Sequence, residues 1–355
     1  MREGWEYKRW ADVLTIINGK NQKAVESPNG QYPIYGSGGI MGYALDWLCP
    51  ENCVIIGRKG NINKPLFVES KFWNVDTAFG LSANQECLIP KYLFYFCLDY
   101  NFERHNRAVT IPSLTKIDLL KVKMLVPPKP TQLSIVSELD KLNELIRIKK
   151  EQLKDYDTLA QSIFYEMFGD PVVNDKKWEV KQLKDVSTLL NGRAYKQHEL
   201  LDKGKYKVLR VGNFFTNSTF YYSDLELDDD KYCEYGDLLF AWSASFGAFI
   251  WNGDKVIYHY HIWKVLFDKD CLNIQYYRYL LNTMTSFFMN DVHGIGMVHL
   301  TKSGMEQYDL PIPPLSLQHS FAHKIEQIER QKAAVQRTIK DLETLLAVRM
   351  QYWFE

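Results

Sequence analysis

PPKPTQLSIVSELDKLNELIRIKKEQLKDYDTLAQSIFYEMF, residues 127–168, has a counterpart 186 residues later, PPLSLQHSFAHKIEQIERQKAAVQRTIKDLETLLAVRMQYWF, residues 313–354. Pro127-Pro128 falls on Pro313-Pro314, Gln132 on Gln318, Ser134 on Ser320, Lys154-Asp155 on Lys340-Asp341, Thr158-Leu159 on Thr344-Leu345 and Phe168 on Phe354. No gap is needed over the whole span, as expected of a helix, and a repeat this long decides the architecture before any single residue does. Ile135, Leu139, Leu142, Ile146, Lys149, Leu153, Tyr156, Ala160, Ile163 and Met167 alternate spacings of four and three. That is a heptad seam. The second copy supplies Phe321, Ile325, Ile328, Lys332, Val335, Ile339, Leu342, Leu346, Arg349 and Trp353.

Prolines suit the entry of each helix, and Gly169-Asp170-Pro171 stops the first. About 38 residues at about 1.5 Å each make a rod on the order of 57 Å long. One such helix cannot bury its seam alone. Pairing within the chain is favoured, because the duplication holds the partner at high effective concentration; packing on its own domain or pairing between chains are the alternatives. The heptads leave open whether the pair is parallel or antiparallel. Lys149 and Lys332 interrupt the two seams near their midpoints and are candidates for setting the register.

Working outward, GWEYKRWADVLTIINGK at 4–20 recurs as KWEVKQLKDVSTLLNGR at 177–193, now at an offset of 173. The second copy has gained 13 residues between the shared opening and the shared helix. Both ends of the unit are kept and the middle differs, which is the layout of one scaffold carrying two working surfaces. The middles read as mostly β: Cys53–Gly57 and Leu238–Ala241 are short apolar runs, and 206–211, 256–261 and 262–267 are rich in β-branched and aromatic residues. Helical spacing predicts short helices over 90–100 and 274–288. The fold class expected is α+β, with duplicated β-rich domains over 1–130 and 170–315 and long helices over 131–169 and 316–355.

The 355 residues, 46% hydrophobic and 24% charged, are those of an ordinary globular protein of two or three domains. Six cysteines without paired spacing predict buried thiols in a reducing compartment. No signal peptide or long apolar run is present, so a cytoplasmic protein without membrane association is expected. Net charge is zero; residues 1–129 hold 16 basic against 12 acidic side chains, and 171–315 hold 16 against 18. Any grip on DNA phosphates then needs local basic loops or a partner's charge.

Catalytic motifs are missing. No phosphate-binding G-x-x-x-x-G-K-[ST] loop and no N-P-P-[YF] tetrapeptide occur, and Gly36-Ser37-Gly38-Gly39 reads as a turn. Cys49/Cys53 and His259/His261 could each supply two metal ligands, but neither has a second pair at suitable spacing, so no metal is expected.

The W-E-x-K…D-V…N-G opening, Y-x-V-L-R-V-G-N at 206–213, Gly236-Asp237-Leu238-Leu239, G-x-G-M-V-H-L-T-K at 294–302 and the P-P-x-x-x-Q helix ending in M-F-G-D-P resemble the specificity subunit of Type I restriction–modification systems. The resemblance covers the whole chain in the family's order. It implies a non-catalytic DNA-binding subunit with two target-recognition domains, each reading half of an asymmetric, split sequence in double-stranded DNA. It implies an antiparallel helix pair that spaces them and holds two modification (methyltransferase) subunits. Those partners bind S-adenosylmethionine and methylate adenine, this chain holding no cofactor, and restriction (translocase-nuclease) subunits join to cut unmodified DNA. The rod then predicts half-sites about one helical turn apart. An alternative reading is a DNA-binding regulator that pairs with itself through the rod and has no methyltransferase partners.

Base readout needs Arg, Lys, Asn, Gln or small hydroxyls on loops, and phosphate grip needs cations and backbone amides. The first-domain candidates are Arg58, Lys59, Asn61 and Lys64 in GRKGNINK, and Arg104, His105, Arg107, Thr110 and Ser113 in a second basic loop. Those of the second domain are Arg193 and Lys196, with Tyr195 between them, then Arg210, Asn213, Trp242, Ser243, Ser245, His293 and His299. Arg210 could equally be a buried structural partner.

Overall fold

The structure is a computed structural model and describes residues 3–106, 111–216, 219–243, 245–290 and 300–355. The chain forms two compact units, one from residues up to Glu151 together with Gln336–Glu355, the other from Gln152–Val335.

The first unit opens with β1 (Glu6–Arg9), α1 (Trp10–Val13), β2 (Leu14–Asn18), β3 (Tyr32–Gly36) and β4 (Gly39–Ala44). It continues with β5 (Cys53–Gly57), β6 (Leu66–Val68), β7 (Trp73–Asn74), β8 (Ala78–Ala83), α2 (Pro90–Asp99), α3 (Lys116–Leu119) and β9 (Lys123–Val126). Strands β2-β8-β5-β6 make an antiparallel sheet, β4-β3-β7 a second sheet in which β3 and β7 run parallel, and β1 pairs with β9. All five residues of β5 are buried. Val54 and Ile56 enter the core with Trp10, Tyr92, Leu93 and Phe96, whereas Cys53 and Ile55 face Cys49, Val68 and Phe72. A strand covered on both faces reads as a continuous apolar run.

The long helix α4 (Lys129–Phe168) follows. Then come β10 (Glu179–Gln182), α5 (Leu183–Val186), β11 (Ser187–Asn191), β12 (Tyr206–Leu209), α6 (Val211–Phe215), β13 (Tyr221–Ser223) and β14 (Tyr232–Cys233). The second unit goes on through β15 (Leu238–Ser243), β16 (Ser245–Ile250), β17 (Val256–Tyr258), β18 (Ile262–Phe267), α7 (Ile274–Asn290), α8 (Lys302–Met305) and β19 (Asp309–Ile312) to α9 (Leu315–Phe354). Its sheets are β11-β18-β15-β16 and β13-β12-β17-β14, with β10 paired to β19. The topology of the first unit is thus repeated with one added strand, β14, and with its parallel strand pairing: Ile34 faces Trp73 in β3–β7 and Val208 faces Ile257 in β12–β17. The offset between copies is therefore 174 at the first of these strands and 184 at the second, which places ten of the inserted residues between β12 and β17. The repeated Asn-Gly has a steric cause. A Cβ on Gly19 would lie 1.8 Å from the Val75 carbonyl oxygen, and one on Gly192 would lie 2.3 Å from that of Tyr258.

Two expectations are corrected at strand ends. The strand predicted over 206–211 stops at Leu209, because Asn213 Oδ1 accepts the Arg210 N–H at 2.8 Å and turns the chain into α6. The strand predicted over 256–261 stops at Tyr258, and His259–His261 form the turn that carries the chain from one sheet into β18.

Both long helices have 40 residues, on the order of 60 Å at about 1.5 Å per residue. In the first unit, Glu138 of α4 pairs with Arg349 of α9 and Lys150 pairs with Glu343 at 2.7 Å, so the two segments run antiparallel. In the second unit Asp157 meets Lys332 at 2.6 Å, and Phe164 and Phe168 lie 5.7 and 5.3 Å from Phe321, again antiparallel. Of the heptad positions, Leu139, Leu142, Ile146, Ile325, Ile328, Val335 and Ile339 are buried, and Leu153 and Leu342 are half-buried. The lysine that breaks the second seam, Lys332, is held by Asp157 and by Glu329 at 3.5 Å.

The repeated glutamine ties each long helix to its domain. Gln132 is fully buried; its Oε1 accepts the Ile89 N–H at 2.8 Å, and its Nε2 donates to the Cys87 and Pro127 carbonyls, each at 2.8 Å. Gln318 repeats the set with Asn273 N–H and the carbonyls of Cys271 and Pro313, at 2.8, 2.9 and 2.8 Å. The far ends are held as well. Trp353 stacks on Trp5 and Phe354 packs on Tyr92, whereas Trp178 donates to the Phe168 carbonyl and Phe168 packs on Tyr276. Gly169, at φ +75°, ends α4 in the left-handed region, where glycine carries no Cβ penalty. Among the described residues, no helix is long and apolar enough to cross a membrane.

Candidate nucleic-acid interface

In the first unit the two basic loops lie side by side. Lys59 bridges to Ser113, Gly60 N–H donates to the Pro112 carbonyl at 3.0 Å, and Leu114 N–H donates to the Arg58 carbonyl at 2.9 Å. Arg58 is exposed; its guanidinium contacts the Asp76 carbonyl at 3.4 Å and sits 5.7 Å from the Phe79 ring centre, so the β5 end aims it outward. Lys59, Asn61, Lys64 and Arg104 are exposed around it. His105 stacks on Tyr100, with Nε2 2.6 Å from the tyrosine hydroxyl, and Ser113 N–H is held by Asn106 Oδ1 at 3.1 Å. Arg107 and Thr110 lie outside the described residues.

The second unit sorts its candidates more sharply. Arg193 is locked to Glu199 through two hydrogen bonds of 2.9 and 2.7 Å, and lies 5.3 Å from the Tyr195 ring centre. The Arg193 hydrogen bonds hold the Glu199 carboxyl down at about 2, so the pair is ionised at any working pH. Lys196 is exposed. Arg210 is exposed rather than a buried partner, over the Tyr221 ring at 5.2 Å. Asn213 is the capping residue described above. Ser243 is buried at 1% exposure, inside the tight β15–β16 hairpin where it pairs with half-buried Ser245. His293 and His299 lie outside the described residues.

Trp242 stacks on Trp263 at 5.3 Å and donates its Nε1 proton to the Tyr260 carbonyl at 2.9 Å. The Leu300 N–H reaches the Trp242 carbonyl at 3.4 Å, as Leu114 reaches Arg58, so the tryptophan holds in the second unit the place that the arginine holds in the first.

Two adjoining clefts open on this side. One, of about 370 Å³, is lined by Arg210, Val211, Gly212, Thr216, Thr219, Tyr221, His259 and His261. The other, of about 400 Å³, is walled by Asn191, Trp242, Tyr260, His261, Trp263 and Leu300–Lys302. Burial first, then the neighbouring His261 and Arg210, push the His259 imidazole down to about 4, so it is neutral near pH 7. His259 Nδ1 faces the His261 N–H at 3.4 Å, which leaves Nε2–H as the donor. The residues that sequence reasoning missed as surface contacts are His259, Tyr260 and His261, together with Tyr221 and Thr219. The signal was Tyr258-His259-Tyr260-His261 at a strand end, weighed only as a metal pair. Among the described residues no three His, Cys, Asp or Glu side chains are placed to hold a metal ion. Cys49 and Cys53 are buried, with the Cys53 thiol pushed up to about 11 chiefly by burial, and Cys49 donates to Asn74 Oδ1 at 3.1 Å.

Two α+β units of one topology, each offering polar, cationic and aromatic loops beside a pair of antiparallel helices, define a duplicated recognition scaffold. A family profile described as the Type I restriction modification DNA specificity domain matches residues 2–155 and again 175–344, and the chain belongs to that family. The Type I restriction enzyme MjaVIII specificity subunit of Methanocaldococcus jannaschii is 22% identical, over 97% of this chain and 92% of that protein. The EcoBI specificity subunit of Escherichia coli is 20% identical over 48% of this chain and 36% of its own length. The crystal structure of the Type I S subunit from M. genitalium shares the fold, with a TM-score of 0.59, 12% identity and coverage of 99% and 96% of the two chains. A chain solved for the structural basis of complex assembly and conformational transition of the type I R-M system gives 0.63, 17%, 99% and 97%. The chain is thus a DNA-recognition subunit of the Type I restriction–modification kind, and not a catalytic one.

Proposed function

We propose that each unit reads one half of a split, asymmetric target in double-stranded DNA. The first reads through Arg58, Lys59, Asn61, Lys64 and Arg104, the second through Lys196, Arg210, Trp242 and the turn His259–His261. The observation that supports this is one scaffold built twice with different side chains at matching places, Arg58 against Trp242 above all. The recognition domains are 1–130 and 170–315, and the helices 131–169 and 316–355 are their spacers. Exposed faces of these helices carry two modification subunits, which bind S-adenosylmethionine and methylate adenine, and restriction subunits join that assembly in the cytoplasm. Partners of this kind supply much of the phosphate grip that a chain of zero net charge lacks.

Replacing residues 1–130 by those of a homologue tests the reading. One half of the methylated sequence is expected to change; a change in both halves or in neither overturns it. If the chain fails to co-purify with the methyltransferase encoded beside it, and that enzyme methylates the same sites unaided, the partner assignment is wrong.

A further inference from the structure

We propose that the cleft between α6, β13 and the His259–His261 turn is a base-reading site for a guanine, with Arg210 as the residue that specifies it. The inference rests on the reading of the second unit as a DNA reader and names the base class that one of its clefts takes.

Among the described residues, Arg210 is the only lysine or arginine lining the cleft, and no carboxylate lines it. Among the described residues, no acidic side chain forms an ion pair with Arg210, in contrast to Arg193, whose fork is filled by Glu199. The Tyr221 ring supports the guanidinium at 5.2 Å, and the bond from its own N–H to Asn213 fixes the backbone that carries it. An arginine offers only donors, in a planar fork. The major-groove edge of guanine offers two adjacent acceptors, O6 and N7, whereas adenine sets a donor beside its N7 and would leave one N–H facing another. Phosphate would also satisfy the fork, but the remaining walls argue for a base. They are Val211, Gly212, two threonines, a tyrosine, His261 and a His259 kept neutral by burial, so among the described lining residues the Arg210 fork stands among apolar, polar and aromatic groups with no second lysine or arginine. At about 370 Å³ it lies near the low end of small-molecule sites, roughly 300–1,000 Å³, a size suited to one base edge.

The test sequences methylated sites in the host for the wild-type chain, Arg210→Ala and Arg210→Lys, with melting of each purified chain as the folding control. The wild type is expected to give a split motif with a G·C pair in the half assigned to the second unit. Both variants should lose discrimination at that one pair, on the order of 5- to 150-fold, while every other position is kept. Lysine keeps the charge but not the fork, so its failure to restore guanine is part of the expected result. Uniformly reduced methylation with the motif intact, restored by lysine, marks a phosphate contact and overturns the proposal. So does an unchanged motif in both variants, or loss of all methylation with a lowered melting temperature in both. A wild-type chain on which no methylated motif depends sinks the DNA-reading function itself, a result distinct from all of these.

Discussion

The segment that follows the first strand of the parallel pair differs between the two units. In the first, β3 turns back through Ser37-Gly38 into β4, and the hairpin leaves Ile40, Met41 and Tyr43 exposed at 54, 61 and 49%. In the second, the matching strand β12 ends in a capped turn of helix and presents Arg210. At the offset of this strand Arg210 stands where the first unit has Gly36. Both segments leave the same register of the same parallel ladder, so the scaffold does not dictate what it displays. Ladder hydrogen bonds fix the strand; the loop beyond is set by a few turn residues, here Ser37-Gly38 against one capping asparagine. That freedom lets one fold hold two unlike readers.

The equivalence of the scaffolds can be broken at its buried glutamines, where the largest effect is expected. Gln132→Leu strands the Ile89 N–H and the Cys87 and Pro127 carbonyls, and Gln318→Leu strands the matching three groups. At roughly 1–3 kcal/mol per unsatisfied buried group, the three groups should cost on the order of 3–9 kcal/mol in denaturant unfolding. A cost below about 1 kcal/mol in one copy only would show that the copies are held differently. Leu139→Ala comes next, at about 2–5 kcal/mol for a fully buried leucine in the helix seam.

A smaller pair sharpens the same comparison. Thr115 caps α3 by accepting from the Asp118 N–H at 3.2 Å, and Thr301 caps α8 by accepting from the Gly304 N–H at 3.2 Å. Substituting either by alanine should cost about 1 kcal/mol, equally in the two units. The smallest effect belongs to a contact that differs between the units. Arg349, hydrogen-bonded to Glu138 at 2.9 Å through Nη2, holds that carboxyl below the usual glutamate range, with help from Trp353 Nε1 at 3.2 Å. A depressed folded value contributes stability that is complete above the unfolded value near 4.3 and is lost as pH falls through the folded one. Unfolding titrated through that window should show a decline that Glu138→Gln removes, with a loss at neutral pH smaller than that of the threonine caps because the pair is partly exposed. An unchanged pH profile in the variant would exclude this ion pair as the cause.

Much of the fold was legible because its signals are periodic or repeated. The heptad spacing over 135–167 and 321–353 marked the helices, and continuous apolar runs such as Cys53–Gly57 marked strands covered on both faces. The repeated glutamine was visible as a letter, but its role was not, since its three partners come from residues up to 45 positions away. The candidate site was legible by residue type only. Arg193 and Arg210 look alike in sequence, yet one is neutralised by Glu199 and the other stands over Tyr221 beside a cleft. Ser243 and Ser245 were equal candidates until a tight hairpin buried the first.

By itself the sequence determined the duplication, the two long helices, the β-rich middles and the position of the gained residues between shared ends, because each rests on local periodicity or exact repetition. Only the tertiary structure decided the antiparallel sense of the helix segments, the pairing of the two basic loops of the first unit, and the cleft that joins Arg210 to His259 and His261. Those depend on contacts between residues far apart in the chain, and heptads or turn signals carry no information about which distant partner a side chain will meet.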